Sequence, residues 1–135
     1  MILVDSSVWI DFFRNTSNRQ TNQLVSWLKS EKADVEIGIA DLVVFEVLRG
    51  FIRPKEQARA KDLLLTLNIV VIGGLQNALL AAEHYNALRA QGFNIASSID
   101  MLLASYCITH GHSLLHREAD FEAIETLRGL KTWPH

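Results

Sequence analysis

Two periods organise the apolar and polar positions along this chain. Ile2-Leu3-Val4 is a continuous apolar triplet, the pattern of a short strand in a parallel sheet covered on both faces. Ser6 and Ser7 suit the start of a helix over Val8–Arg14. Leu24, Val25 and Leu28 recur at helical spacing and predict a helix from about Thr21 to Ser30. Val35–Ile39 alternates and reads as a strand; Asp41 then caps a helix to about Arg49, closed by Gly50. Pro54 fits the first turn of a helix running to about Leu67. Ile69–Ile72 is a β-branched strand ended by Gly73-Gly74. A long helical pattern covers Leu75–Gln91 and stops at Gly92. Ser97 or Ser98 caps a helix over Ile99–His110, and Ser113–Leu115 is a fourth strand. A short helix over Phe121–Leu127 follows, and Leu130–Trp133 offers an edge strand.

Strands alternating with helices predict a three-layer α/β domain with a largely parallel central sheet of four or five strands flanked by helices. At 135 residues the chain is expected to be one domain over 1–135, without repeat or linker. With 49% hydrophobic and 21% charged residues it has enough apolar material for a core. The apolar start is too short for a signal peptide or a membrane span, so a membrane role is not expected. The lone Cys107 cannot form an internal disulfide, which fits a reducing, cytoplasmic setting, and it reads as a core thiol.

The formal charge of −2 is not the footprint of a basic nucleic-acid binder. That objection weakens if some acids hold metal: without Asp5, Glu46, Asp100, Glu118 and Asp120, ten acids face thirteen bases. Glu31, Asp34, Glu56, Asp62 and Glu125 sit in polar surroundings and are expected to face water. Four acids do not. Asp5 follows a buried strand, at the end where parallel sheets bind ligands. Glu46 is the only polar residue in Leu42-Val43-Val44-Phe45-Glu46-Val47-Leu48. Asp100 opens an apolar helix, and Asp120 follows the fourth strand.

An ionised carboxylate in such settings costs several kcal/mol unless paired or bound to a cation. The flanking runs contain little Lys or Arg, and a shared hard dication, Mg²⁺ or Mn²⁺, would relieve all four. Each also has a plainer reading. Asp5 and Asp120 can cap helices, Glu46 can pair with Arg49 or Arg53, and Asp100 can be a first-turn acid favoured by the helix dipole.

The segment Leu3-Val4-Asp5-Ser6-Ser7-Val8-Trp9-Ile10-Asp11 resembles the opening of VapC-type toxins, the PIN-domain ribonucleases of toxin–antitoxin pairs. Phe45-Glu46-Val47-Leu48-Arg49-Gly50, Ser98-Ile99-Asp100-Met101-Leu102-Leu103-Ala104 and Leu115-His116-Arg117-Glu118-Ala119-Asp120-Phe121 resemble that family's later acidic motifs, in order. The resemblance implies a PIN-like fold with Asp5, Glu46 and Asp100 binding metal. In the fourth motif many relatives carry two aspartates; here Glu118 replaces the first, leaving open whether Asp120 or Glu118 is the closer ligand, with Asp120 favoured. Ser6 matches a small hydroxyl residue that supports the first aspartate, or else caps a helix. Trp9 reads as core, and Asp11 as a partner for a nearby base.

The implied activity is a Mg²⁺- or Mn²⁺-dependent endoribonuclease, hydrolysing RNA phosphodiester bonds with metal-activated water to leave a 5′-phosphate and a 3′-hydroxyl. Arg14, Arg49, Arg53, Lys55, Arg59, Lys61 and Arg117 are candidates for RNA backbone contact, although a solvated helix face explains the run from 49 to 61 equally well. His110 and His112 lack the convergent partners of a zinc site. Gly73-Gly74 is a turn rather than a phosphate loop. The implied partners are a VapB-like antitoxin, whose tail lies along a groove with an arginine near the acids, and a second copy of the chain. Leu79, Leu80 and Leu88 on the long helix suit either a dimer face or the core. A non-toxin phosphoesterase acting on DNA or flaps, and a non-catalytic RNA-binding module, are the competing readings.

Overall fold

The structure is a computed structural model that describes residues 1–30 and 35–133. Its element order is β1 (Ile2–Val4), α1 (Ser6–Phe13), α2 (Arg19–Lys29), β2 (Ile37–Ala40), α3 (Asp41–Leu48), α4 (Pro54–Leu64), β3 (Asn68–Val70), α5 (Leu75–Ala90), α6 (Ser98–His110), β4 (Ser113–Leu115), α7 (Asp120–Arg128) and β5 (Lys131–Trp133). The strands form one five-stranded sheet in the order β3-β2-β1-β4-β5. Every neighbouring pair is parallel, with Leu3 opposite Gly38 on one side and Leu114 on the other.

This order contains a reversal. From β1 the chain steps outward through β2 to β3, then returns across the sheet to β4 and steps outward the other way to β5. Right-handed crossovers in opposite directions place their helices on opposite faces. Accordingly α1 packs on α2 and α3, α3 on α4, and α5, α6 and α7 pack on one another. The reversal opens a crevice beside β1 and β4, at the carboxyl ends of both strands.

The sheet is lined by Leu3, Val4, Ile39, Leu114 and Leu115, all fully buried, as the continuous apolar runs predict. Trp9 is fully buried and packs edge-on against Phe12 and nearly parallel to Phe13, which meets Phe51. Cys107 is buried, and burial pushes its thiol up to about 12, so it is an inert core thiol. Gly38 admits a close approach: a Cβ there would lie 2.6 Å from Met1 Sδ and 2.8 Å from a Leu3 methyl carbon, so those side chains would have to shift.

Several boundaries differ from the sequence reading for local reasons. The second strand is Ile37–Ala40, not Val35–Ile39; Ile2 N–H already bonds the Glu36 carbonyl at 2.8 Å, which sets the register. The third strand is Asn68–Val70 rather than Ile69–Ile72. Its partner β2 stops at Ala40, so Val71 and Ile72 have no strand to continue along. Ile72 instead turns inward, and its N–H donates to Asp41 Oδ1 at 3.1 Å. Asp41 is the first residue of α3 and not its cap, which is Ala40. Asp120 likewise opens α7 from within, with Ala119 as the capping residue. Ser97 is the cap of α6, accepting from Asp100 N–H. Among the described residues no helix is long and apolar enough to cross a membrane.

Candidate metal centre

Three elements deliver three acids to the crevice. Asp5 leaves the end of β1 and caps α1: its Oδ2 accepts from Ser7 N–H at 3.2 Å and from Ser7 Oγ at 2.7 Å. Asp5 therefore both caps α1 and belongs to the acidic cluster. Oδ1 is buried and has no hydrogen-bond partner. Glu46 projects from α3, and its Oε1 is likewise buried and unpartnered. Its Oε2 stands 4.0 Å from the Arg49 guanidinium, which is itself 60% exposed and lies over the Phe45 ring. Asp100, in the first turn of α6, is buried. One oxygen from each of Asp5, Glu46 and Asp100 falls within 4.8 Å of the others.

Like charges this close raise one another's proton affinity. Asp5 is pushed above the ordinary carboxylate range by burial, against the pull of the Ser7 hydrogen bonds. Glu46 is raised by burial and then by Asp5, with Ser6 beside it favouring the charged form. Asp100 is raised to about 7, first by burial and then by Asp5 and Glu46. The weak Arg49 contact does not offset this. Two buried orphan oxygens in an all-carboxylate donor set fit a hard divalent cation. Among the described residues this is the one cluster of three potential ligands this close together. His110 and His112 instead stack with Tyr106.

The other expected ligands stand at the rim. Asp120 is half-buried and Glu118 exposed, and neither joins the tight set of three. Both still act on it, since each contributes to raising Asp100. Glu118 is raised by its own partial burial, then by Asp5 and Asp120.

Two participants carry no expectation from sequence. Ser7, rather than Ser6 alone, anchors Asp5, and its Oγ also accepts from Arg117 N–H at 3.3 Å. An acid followed two positions later by serine at a helix start is the pattern that signals this contact. His116 lies against Phe121, and its Nδ1 accepts from Glu118 N–H. Burial lowers its pKa while Asp5 opposes the shift.

Of the candidate RNA contacts, Arg14, Lys55, Arg59 and Lys61 are exposed. Arg53 stands 3.4 Å from Glu56, and Arg117 pairs with Asp11, the base partner foreseen for that acid. Glu56, Asp62 and Glu125 are exposed as expected, while Glu31 and Asp34 lie outside the described residues.

The chain is similar to known proteins over most of its length. The PIN-domain family description matches residues 2–127. The chain is 29% identical over 131 residues to VapC ribonuclease Mb1587 of Mycobacterium bovis, covering 97% of this chain and 96% of that protein. Ribonuclease VapC11 of Mycobacterium tuberculosis matches with the same identity and coverage. Among solved structures, VapBC2 from Rickettsia felis bound to a promoter DNA fragment superposes with a TM-score of 0.76 at 19% identity, covering 98% and 97% of the two chains. FitAcB from Neisseria gonorrhoeae gives 0.74 at 20% identity over 98% and 96%. The Mycobacterium tuberculosis toxin VapC20, which cleaves the sarcin-ricin loop, gives 0.65 at 16% identity over 91% and 94%.

Proposed function

Because this chain belongs to the PIN-domain family, we propose that it is an endoribonuclease dependent on Mg²⁺ or Mn²⁺ and that it serves as the toxin of a toxin–antitoxin pair. The observation that carries the reading is the convergence of Asp5, Glu46 and Asp100 in a buried crevice, with two oxygens left without any partner. Such a cluster is costly for the protein alone. The ribonuclease names of the curated relatives support the choice of RNA as substrate.

A divalent ion, when bound, lowers the pKa of water, neutralises phosphate oxygens and stabilises the leaving oxygen. Asp5, Glu46 and Asp100 would hold it. Ser7 keeps Asp5 Oδ2 occupied, so that Oδ1 is the oxygen available to the cation. Asp100, raised to about 7 by burial and its acidic neighbours, would give up its proton to hold a cation. Asp120 and Glu118, at the rim, would accept a proton from the attacking water or support a second ion. Exposed Arg14, Arg53 and Lys55 would hold the RNA backbone, supplying affinity and little sequence choice.

The whole chain, residues 1–135, is taken as one catalytic domain, acting in the cytoplasm as a homodimer silenced by a VapB-like antitoxin. The similar solved structures of VapBC, and one of a toxin–antitoxin complex from Klebsiella pneumoniae, support the partner. The test is incubation of the purified chain with RNA, single-stranded DNA, flap DNA and a small phosphate ester, with Mg²⁺, Mn²⁺ or EDTA. The expected result is internal RNA cleavage that EDTA and Asp5→Asn both abolish. Cleavage of DNA alone, or RNA cleavage surviving in Asp5→Asn, would overturn the reading.

A further inference from the structure

Arg117 lies beside the acids, yet its charge is committed elsewhere. Its guanidinium donates to Asp11 Oδ2 on α1. The same oxygen accepts from Asn18 Nδ2 at 3.2 Å, and Asn18 caps α2 through a reciprocal pair of bonds with Thr21. Two helix ends thus brace the acid that holds Arg117. The arginine's own backbone N–H, meanwhile, donates to Ser7 Oγ at 3.3 Å, and Ser7 Oγ donates to Asp5 Oδ2 at 2.7 Å.

This order of donors has a consequence. A serine hydroxyl has one proton and rotates to suit its surroundings. With an N–H directed at its lone pair, the Ser7 proton is aimed at Asp5. Asp5 Oδ2 is thereby engaged, Oδ1 is left buried without a hydrogen bond, and the carboxylate as a whole clusters with Glu46 and Asp100. The segment that Arg117 pins carries Glu118 and leads into Asp120 at the start of α7, and both act electrostatically on the centre.

We propose that Arg117 is a positioning residue: clamped by Asp11, it holds the segment between β4 and α7 against α1 and so orients Asp5, through Ser7, for the cation. It is not an RNA phosphate contact. The inference rests on the cation-dependent reading of the centre, and its test separates the two.

The experiment uses the full chain as Arg117→Ala, Asp11→Asn, the double variant and Arg117→Lys. Mn²⁺ affinity is measured by calorimetry, kcat and KM on RNA, and RNA binding in EDTA as a function of salt. Arg117→Ala and Asp11→Asn should each weaken Mn²⁺ binding about tenfold or more and lower kcat with KM nearly unchanged. The double variant should be no worse than either single one, because both cut the same link. Arg117→Lys, which keeps the charge, should recover part of the loss, and RNA binding in EDTA should keep its salt slope. Unchanged Mn²⁺ affinity in folded Arg117→Ala would overturn the proposal. So would a shallower salt slope in Arg117→Ala with Asp11→Asn silent, the signature of a phosphate contact. A wild-type chain that binds Mn²⁺ but cleaves no RNA would sink the ribonuclease reading alone. The Mn²⁺ affinities of the variants would still decide the clamp.

Discussion

Asp5 and Asp11 stand six positions apart, just before and within the same helix, and both lie in the segment that resembles a toxin opening. Asp11 accepts from an arginine and an asparagine. Asp5 accepts from Ser7 beside it, clusters with Glu46 and Asp100, and keeps one buried oxygen with no partner. The two side chains are chemically identical, so the difference lies in placement. Asp5 sits where the sheet order reverses, and the crevice there brings Glu46 and Asp100 to it, with the Arg49 guanidinium 4.0 Å from Glu46. A paired acid ties helix to loop. An unpaired one, held among its own kind, is a demand for a cation.

The sharpest way to break this comparison is to neutralise each acid in turn. Asp5→Asn should cut RNA cleavage more than about a hundredfold, beyond the loss typical of an outer-shell partner. In the metal-free protein the same change should stabilise the fold by about 1 kcal/mol, or roughly 3 °C in Tm, because it relieves repulsion. Asp11→Asn should do the reverse, lowering Tm slightly as a partly exposed ion pair is lost. Thermal unfolding in EDTA reads both signs; a matching fall in Tm for Asp5→Asn would show that Asp5 is satisfied after all.

A second test uses protons in place of mutations. Asp100 binds its proton more tightly in the folded chain, near 7, than its usual value of 3.8. Between these values the folded state holds more protons than the unfolded state, so metal-free stability should fall as pH rises from about 4 to about 7, then level off. Mn²⁺ competes with that proton, so its stabilising effect should be larger at pH 8 than at pH 5.5. Melting curves with and without Mn²⁺ at both pH values check this, and equal Mn²⁺ shifts would remove Asp100 from the centre.

Ser7→Ala takes two roles from one hydroxyl, and should weaken Mn²⁺ binding about tenfold while leaving RNA affinity in EDTA unaltered. The smallest effect concerns charges away from the crevice. Arg53→Ala and Lys55→Ala should leave kcat intact and reduce the salt slope of RNA binding by about one each. A fall in kcat would bring these residues into the chemistry.

Much of this was legible in the sequence because apolar periodicity fixes both strands and helices. The triplet Ile2-Leu3-Val4 announces a central strand, and Glu46 is conspicuous as the one polar residue in the run from Leu42 to Leu48. Strand limits were less legible, because they depend on neighbours distant in the chain: Val71 and Ile72 have strand composition but nothing alongside to pair with. The rim of the site was harder still. Asp120 and Glu118 carry the right chemistry at the right strand end, yet their distance from the centre is a matter of tertiary geometry that spacing does not encode. Ser7 and Arg117 are tied in by a few hydrogen bonds, among them one between residues 110 positions apart and one between residues 106 apart.

The most direct measurement is a calorimetric Mn²⁺ titration at pH 7 of the wild-type chain, Asp5→Asn and Asp100→Asn, in two buffers of different ionisation enthalpy. Saturable binding with proton release in the wild type, lost or greatly weakened in both variants, is the predicted result. Equal Mn²⁺ affinity in all three proteins, or a wild-type chain that takes up no cation at millimolar Mn²⁺, would contradict the account.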